Sequence, residues 1–282
     1  MLAQQRQAAI LQRVRKSGGA RVSDLVREFQ VSDMTIRRDL ETLAERGLVA
    51  KVHGGATALE PRSTDEPGFA AKSARQLAEK EAIARRAAEL VQPGAAIALS
   101  AGTTTAALAH RLTDVPGLTV VTNSIPVADV FHRAGRSDQT VILTGGVRTP
   151  SDALVGPVAA AAIRSLNTDL LFMGVHGMSE RAGFTTPNLM EADADRALID
   201  AAHRMVVVAD HTKWETVGIS TIARLDEADI LISDDGLPEG AREALAAQVG
   251  ELALVPAAAG TAARADTAAP AAATAEIPVV AT

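Results

Sequence analysis

Seven short apolar runs constrain this chain more than any other feature: AAIALS from residue 95, LTVVTN from 118, TVILTG from 140, DLLFMGV from 169, RMVVVAD from 204, DILISD from 229 and ELALVP from 251. Each is too short for a buried helix, and each is separated from the next by a helical or looping segment. That alternation predicts the α/β class, with a mainly parallel, Rossmann-like open sheet covered by helices on both faces. A helical pattern over EKEAIARRAAELV, with Ile83, Ala87 and Leu90 on one side and a stop at Pro93-Gly94, leads into the first run. In such a sheet, sites form at the carboxyl ends of the strands, where loops and helix N-termini converge.

The strand ends carry anion-compatible groups. After AAIALS comes AGTTTAALAHRL, in which Gly102 permits a tight approach. Thr103, Thr104 and Thr105 open the next helix and offer hydroxyls beside unpaired N–H groups, a setting suited to phosphate. LTVVTN runs into Thr122, Asn123 and Ser124, TVILTG ends in Gly145-Gly146 followed by Arg148, and RMVVVAD ends in Asp210, His211, Thr212 and Lys213. A phosphate near the GTTT turn, charged partners at Lys213 and Arg148, and selectivity from Asn123, Arg148 and Thr186 make a coherent expected pocket. His211 can respond near neutral pH, although an ordinary surface histidine fits the sequence equally well.

The first 60 residues read differently. Residues 1–56 hold 10 Lys and Arg against 6 Asp and Glu, leaving 18 against 28 for the remainder, so a chain of net charge -6 has a basic module at its start. Segregated charge of this kind supplies phosphate attraction locally. Ala9, Ile10 and Val14 give helical spacing up to Gly18-Gly19, and Leu2 is expected on the same stripe. VSDLVREF is expected to be a second helix capped by Ser23, with Leu25, Val26 and Phe29 on one side. A third follows, with Ser32 as N-cap, Ile36, Leu40 and Leu43 as its buried stripe, and Gly47 as its stop. Thr35, Arg37 and Arg38 fall off that stripe, on the face that enters a major groove in a helix-turn-helix module. LVAKVHGGA then reads as a strand, a Gly54-Gly55 turn and a short return, that is, a wing, from which Lys51 and His53 can touch DNA backbone or a groove edge.

The stretch VSDLVREFQVSDMTIRRDLETLAERGLVAKVHGGA resembles the DeoR family of bacterial transcription regulators, above all in VSDMTIRRDL, LAERGL and HGGA. EKEAIARRAAELVQPG, GTTTAALA, VVTNS, LTGG, GFTTPNLMEA and VVVADHTKW extend the resemblance to about 250 of the 282 residues. It implies a recognition helix whose DNA-facing residues are Ser32, Thr35, Arg37 and Arg38. It also implies a second domain similar to sugar-phosphate isomerases and deaminases, which senses a phosphorylated sugar-like effector and alters affinity for a duplex operator. Oligomerisation and repression of a carbohydrate operon are implied likewise. Two departures stand out: Ser100-Ala101-Gly102-Thr103-Thr104 where members often read DSGTT, and Asp210-His211-Thr212-Lys213 where they often read DSSK. The first removes a carboxylate beside the expected pocket.

These readings set the expected organisation as a winged helix-turn-helix domain over 1–59, a linker over 60–75, an α/β sensor over 76–255 and a disordered Ala, Thr and Pro-rich tail over 256–282. Without cysteine there is no disulfide or thiolate chemistry, and with 2% aromatic residues a base-stacking binder of single strands is not expected. The six histidines lack zinc-ligand spacing, so neither a metal nor a cofactor is expected. No signal peptide or bilayer-length apolar run is legible, and a cytoplasmic protein is expected, at the nucleoid when DNA-bound. Catalysis is not expected, because the Met173 to Gly177 stretch lacks the acidic run of the isomerases. Glu180 and Glu191 are near it in sequence only.

Overall fold

The computed structural model describes residues 2–46, 48–57, 64–66 and 68–257. The proposed stop at Gly47, part of the proposed linker and the tail from 258 onward lie outside the described residues. Two compact units are present, Met1–Arg62 and Ser63–Thr282.

In the first unit, α1 (Ala3–Ser17), α2 (Val22–Phe29) and α3 (Asp33–Glu45) enclose a core of Ile10, Val14, Val22, Leu25, Ile36, Leu40 and Leu43, with Val49 and Ala56 beneath the wing. The wing has three strands in the order β1 (Gly19–Arg21), β3 (Gly55–Thr57), β2 (Ala50–Val52), all pairs antiparallel. The strand at Gly19–Arg21 was not expected, since three residues carry no alternation to read. It exists because the two glycines of the wing turn have separate tasks. Gly54 takes a positive φ of 80°, while Gly55 passes so close to β1 that a Cβ there would stand 2.2 Å from the Ala20 carbonyl oxygen. Two further corrections concern helix starts. α2 begins at Val22 with Arg21 at its N-cap and no side-chain cap, so Ser23 lies inside the first turn. Leu2 is the N-cap residue of α1 and is 72% exposed, off the buried stripe.

The second unit opens with a short helix α4 (Phe69–Ser73), within the stretch expected to be linker. α5 (Leu77–Ala88), β4 (Ala96–Leu99), α6 (Thr103–Leu112), β5 (Thr119–Thr122), α7 (Ile125–Ala134), β6 (Thr140–Leu143), β7 (Val147–Arg148), β8 (Leu154–Val155) and α8 (Pro157–Ile163) follow. Then come β9 (Thr168–Gly174), β10 (Gly177–Ser179), β11 (Gly183–Thr186), α9 (Leu189–Asp200), β12 (Ala202–Val208), β13 (Ser220–Ala223), β14 (Ile230–Asp234), α10 (Glu239–Ala246) and β15 (Glu251–Val255). The seven expected runs form one sheet in the order β15-β14-β12-β9-β4-β5-β6, with every pair parallel. A smaller antiparallel sheet, β10-β11-β13, lies apart from it.

Period-two alternation divides the strand residues between two cores. Ile97, Leu99, Phe172, Val206 and Ile232 pack with Ile83, Leu108 and Phe131, from α5, α6 and α7. Ala98, Leu171, Met173, Val207 and Leu231 pack on the opposite face with Ile163, Leu198 and Leu245, from α8, α9 and α10. Strand order reverses between β4 and β9: the chain builds outward from β4 to β6, then returns to the other side of β4 and proceeds to β15. Connections leave these two neighbours on opposite faces, so a crevice opens at their carboxyl ends.

Candidate DNA interface and effector cavity

Ser32 caps α3, its Oγ accepting from the Thr35 N–H at 3.2 Å and lying 2.8 Å from the Thr35 hydroxyl. Both proposed groove residues are therefore engaged locally at the helix start. Arg37 pairs with Asp33 one turn back, whereas Arg38 is exposed and makes no ion pair among the described residues. On the wing, Lys51 Nζ reaches Glu41 of α3 at 3.0 Å, and His53 is exposed beside the turn. The inner face of α3 holds a residue that the apolar stripe concealed. Asp39, 4% exposed, receives Arg6 Nε at 2.6 Å and the Gln7 amide at 3.0 Å, which locks α1 onto α3. Arg6 is thus a buried partner and not a free surface charge.

In the second unit, one cavity occupies the β4/β9 crevice. The start of α6 supplies Gly102, Thr103 and Thr104, the end of β5 supplies Asn123, and the end of β9 supplies Gly174, Val175 and His176. Thr186 and Lys213 reach it from the ends of β11 and β12, Lys72 from α4, and Glu191 and Asp195 from α9. Gly102, Thr103, Thr104, Asn123, Thr186 and Lys213, all singled out from the sequence, thus share one cavity. The remaining four candidates lie outside its lining. Thr105 donates its hydroxyl to the Ser100 carbonyl at 2.7 Å and is fully buried. Gly146 packs against β8, where a Cβ would stand 2.4 Å from the Val155 carbonyl oxygen, and Gly145 takes a φ of 74° beside it. Arg148 is exposed and turned onto Asp152 at 2.6 Å.

Lys72, Glu191 and Asp195 carried no legible signal for the cavity. Lys72 lies in the stretch read as linker, and its ammonium donates to Ser151 Oγ at 2.9 Å. That stretch is fixed by Phe69 N–H on the Pro150 carbonyl at 3.0 Å and by buried Lys80, which donates to the Lys72 and Arg75 carbonyls at 2.6 Å each. Just upstream, Glu66 accepts from the Asn188 amide at 3.0 Å and from the Ser151 hydroxyl at 3.2 Å. The reading of Glu191 as near in sequence only is corrected: it lines the cavity, with Thr149 donating to one oxygen at 2.7 Å and Thr186 to the other at 3.2 Å.

Both halves of the chain match known families. The DeoR-like helix-turn-helix domain matches residues 6–62, and the DeoR C terminal sensor domain matches residues 75–235. The chain belongs to the DeoR family. This regulator is 40% identical over 249 residues to the HTH-type transcriptional regulator YgbI of Escherichia coli strain K12, covering 88% of this chain and 96% of that one. It is 35% identical over 244 residues to the HTH-type transcriptional regulator GlpR of Haloferax volcanii, covering 86% and 94%. With the transcriptional repressor AccR of Agrobacterium fabrum it shares 32% identity over 235 residues, covering 83% and 90%. Among solved structures, ribose 5-phosphate isomerase A of Methanocaldococcus jannaschii overlaps 49% of this chain and 54% of its own at 15% identity, with a TM-score of 0.36. Among the described residues no helix is long and apolar enough to cross a membrane.

The departures from the family pattern have distinct structural outcomes in this regulator. Ser100, the first residue of the departing SAGTT stretch, is fully buried and accepts the Gly174 N–H at 2.9 Å, tying β4 to β9 outside the cavity lining. His211 is likewise outside it: Nδ1 lies 2.6 Å from Asp234 Oδ2, and the His211 N–H donates to the other oxygen at 2.8 Å. That pairing steadies the turn that presents Lys213. Inside the cavity the lysine field is felt by His176, whose pKa falls to about 4, first through burial and then through Lys213 and Lys72. Burial lowers Lys72 and raises Glu191. His176 is accordingly neutral in the folded regulator from pH 8 to about 5, and its ring resonances should stay put across that range. A midpoint near 6.5 in an NMR titration contradicts this environment.

Proposed function

We propose that this DeoR-family regulator binds a duplex operator as a homo-oligomer through α3 and the wing, represses a carbohydrate operon, and changes operator affinity when a phosphorylated sugar-like metabolite enters the second-unit cavity. The observation that carries the effector class is convergence of charge. Lys72 and Lys213, from distant parts of the chain, line the same cavity as the first turn of α6. The helical ladder of α6 begins with Ala106 N–H on the Gly102 carbonyl, which leaves the N–H groups of Thr103, Thr104 and Thr105 outside it. A phosphate satisfies such a site with charge-assisted bonds, while a neutral sugar leaves it unused. Ser32, Thr35, Arg37, Arg38, Lys51 and His53 are the proposed DNA contacts. One module offers a small contact area, so pairing on two half-sites supplies the rest of the specificity.

The cavity is read as a sensor site without turnover. Both Glu191 oxygens already accept threonine hydroxyls, and the matched relatives are transcription regulators. Ribose 5-phosphate incubated with the protein should therefore remain unconverted.

Operator titrations in the presence of sugar phosphates and of their neutral counterparts test the reading. The expected result is a shift in operator affinity with phosphorylated compounds alone. Coupling requires the ligand to prefer either the DNA-bound or the free form. Lys213→Ala should abolish the shift while leaving affinity for free operator at the wild-type value. A response to neutral sugars, or an undiminished response in the Lys213 variant, refutes the anion site.

A further inference from the structure

We propose that Asp195 is a specificity residue of the effector cavity, bonding a hydroxyl group of the ligand at the end remote from its phosphate. The inference rests on the anionic-effector reading above and assigns the other half of the ligand.

Asp195 lies on α9, one turn beyond Glu191, is 8% exposed and lines the cavity. Among the described residues its carboxyl group has no hydrogen-bond or ion-pair partner. Its neighbours show how unusual that is. Glu191 holds two threonine hydroxyls, and the guanidinium of Arg196, whose charge acts on Asp195, bonds Asp193 at 3.1 Å and Ser220 at 3.3 Å instead. Its oxygens keep a little access, so a nearly buried carboxyl group that bonds no protein partner and lines a cavity is placed to bond what enters it.

Charge decides what that group is. Burial, and after it Glu191, pushes Asp195 well above the usual carboxylate range against the opposing pull of Arg196, which favours the protonated acid, a group that can donate one hydrogen bond and accept others. A sugar hydroxyl has the same dual capacity. An ammonium group would require ionisation against both burial and the adjacent Glu191. Lys72 and Lys213 both act on His176, and Lys72 acts on Glu191, but neither is among the charges acting on Asp195. The cavity therefore offers two lysines as an anion contact and, outside their influence, the carboxyl group of Asp195. Val208 and Ile222, also in the lining, supply apolar contact for a carbon skeleton.

Calorimetry on the full-length protein tests this, with inorganic phosphate, glycerol 3-phosphate, ribose 5-phosphate and glucose 6-phosphate as probes. At least one sugar phosphate should bind wild type ten-fold or more tightly than inorganic phosphate. Asp195→Leu should erase that gain while leaving inorganic phosphate affinity unchanged, and Asp195→Asn, which still donates and accepts, should retain part of it. Hydrogen exchange of β9, α9 and β12 reports that the sensor unit of both variants is folded. If the gain survives in Asp195→Leu, or if no probe exceeds inorganic phosphate in wild type, the assignment of Asp195 is overturned while the anion site stands. If neither inorganic phosphate nor any sugar phosphate binds, the anionic-effector reading falls and takes this inference with it.

Discussion

Replacing Asp39 by alanine should destabilise the DNA-binding unit by roughly 3–5 kcal/mol, the cost of leaving a buried charge without its partner. The partner is Arg6, which is 8% exposed and whose guanidinium meets the Asp39 carboxylate at 2.6 Å. Without the carboxylate, Arg6 must stay buried and unpaired or pull α1 away from α3 to reach water. Either outcome disturbs the helix that presents Arg37 and Arg38. A paired replacement behaves differently: Arg6→Met with Asp39→Leu substitutes apolar contact for the ion pair, and should recover most of the loss. Hydrogen exchange of α1 to α3 in the full-length protein measures both. Equal protection in Asp39→Ala and wild type, or no recovery in the double variant, contradicts the lock.

Arg38→Ala should weaken operator binding more than Arg37→Ala. Both side chains leave the buried face of α3, so folding survives either change. Arg37 enters any complex with a competing partner, because it must first leave Asp33. Arg38 has no such tie among the described residues. Losing a bidentate base contact costs roughly 1–3 kcal/mol, and a symmetric dimer suffers it at each half-site. Loss confined to phosphate contacts would instead weaken all sequences alike and flatten the salt dependence by about one unit per contact. Titrations over a salt series separate the two cases. A folded Arg38→Ala protein with the wild-type curve refutes the docking of α3.

Periodicity carried the architecture: every apolar run expected to be a strand lies in the parallel sheet, and the α3 stripe of Ile36, Leu40 and Leu43 lies in the first core. What escaped depends on distance in sequence. Asp39 shares the α3 stripe with those residues, and only the approach of Arg6, 33 positions earlier, makes it a buried anchor. α4 is five residues long and sits in a Pro and Gly-containing stretch without a period, so its helix depends on contacts with Pro150 and Lys80. Glu191 and Asp195 belong to EADAD, whose acids have no local partner in sequence that marks a pocket. They border the cavity because α9 returns across the sheet beside β9. Arg148 failed in the opposite direction: it follows a promising Gly-Gly turn, but Asp152 lies four residues away and takes its charge. Composition near a strand end identifies groups that can bind an anion, and local pairing decides which are free to do so.

Trp214 is the one tryptophan in a chain without tyrosine, and it immediately follows Lys213. Half-buried against the α8–α10 side of the sheet, with its backbone N–H on the His211 carbonyl at 3.2 Å, it shares the turn that delivers Lys213 to the cavity. The first unit therefore emits no indole fluorescence, and an unlabelled solution of this protein carries a single optical probe beside the proposed phosphate contact. Changes at that turn can be followed by emission while operator DNA is present, so occupancy of the sensor can be recorded in the same cuvette as DNA binding read from a dye on the operator.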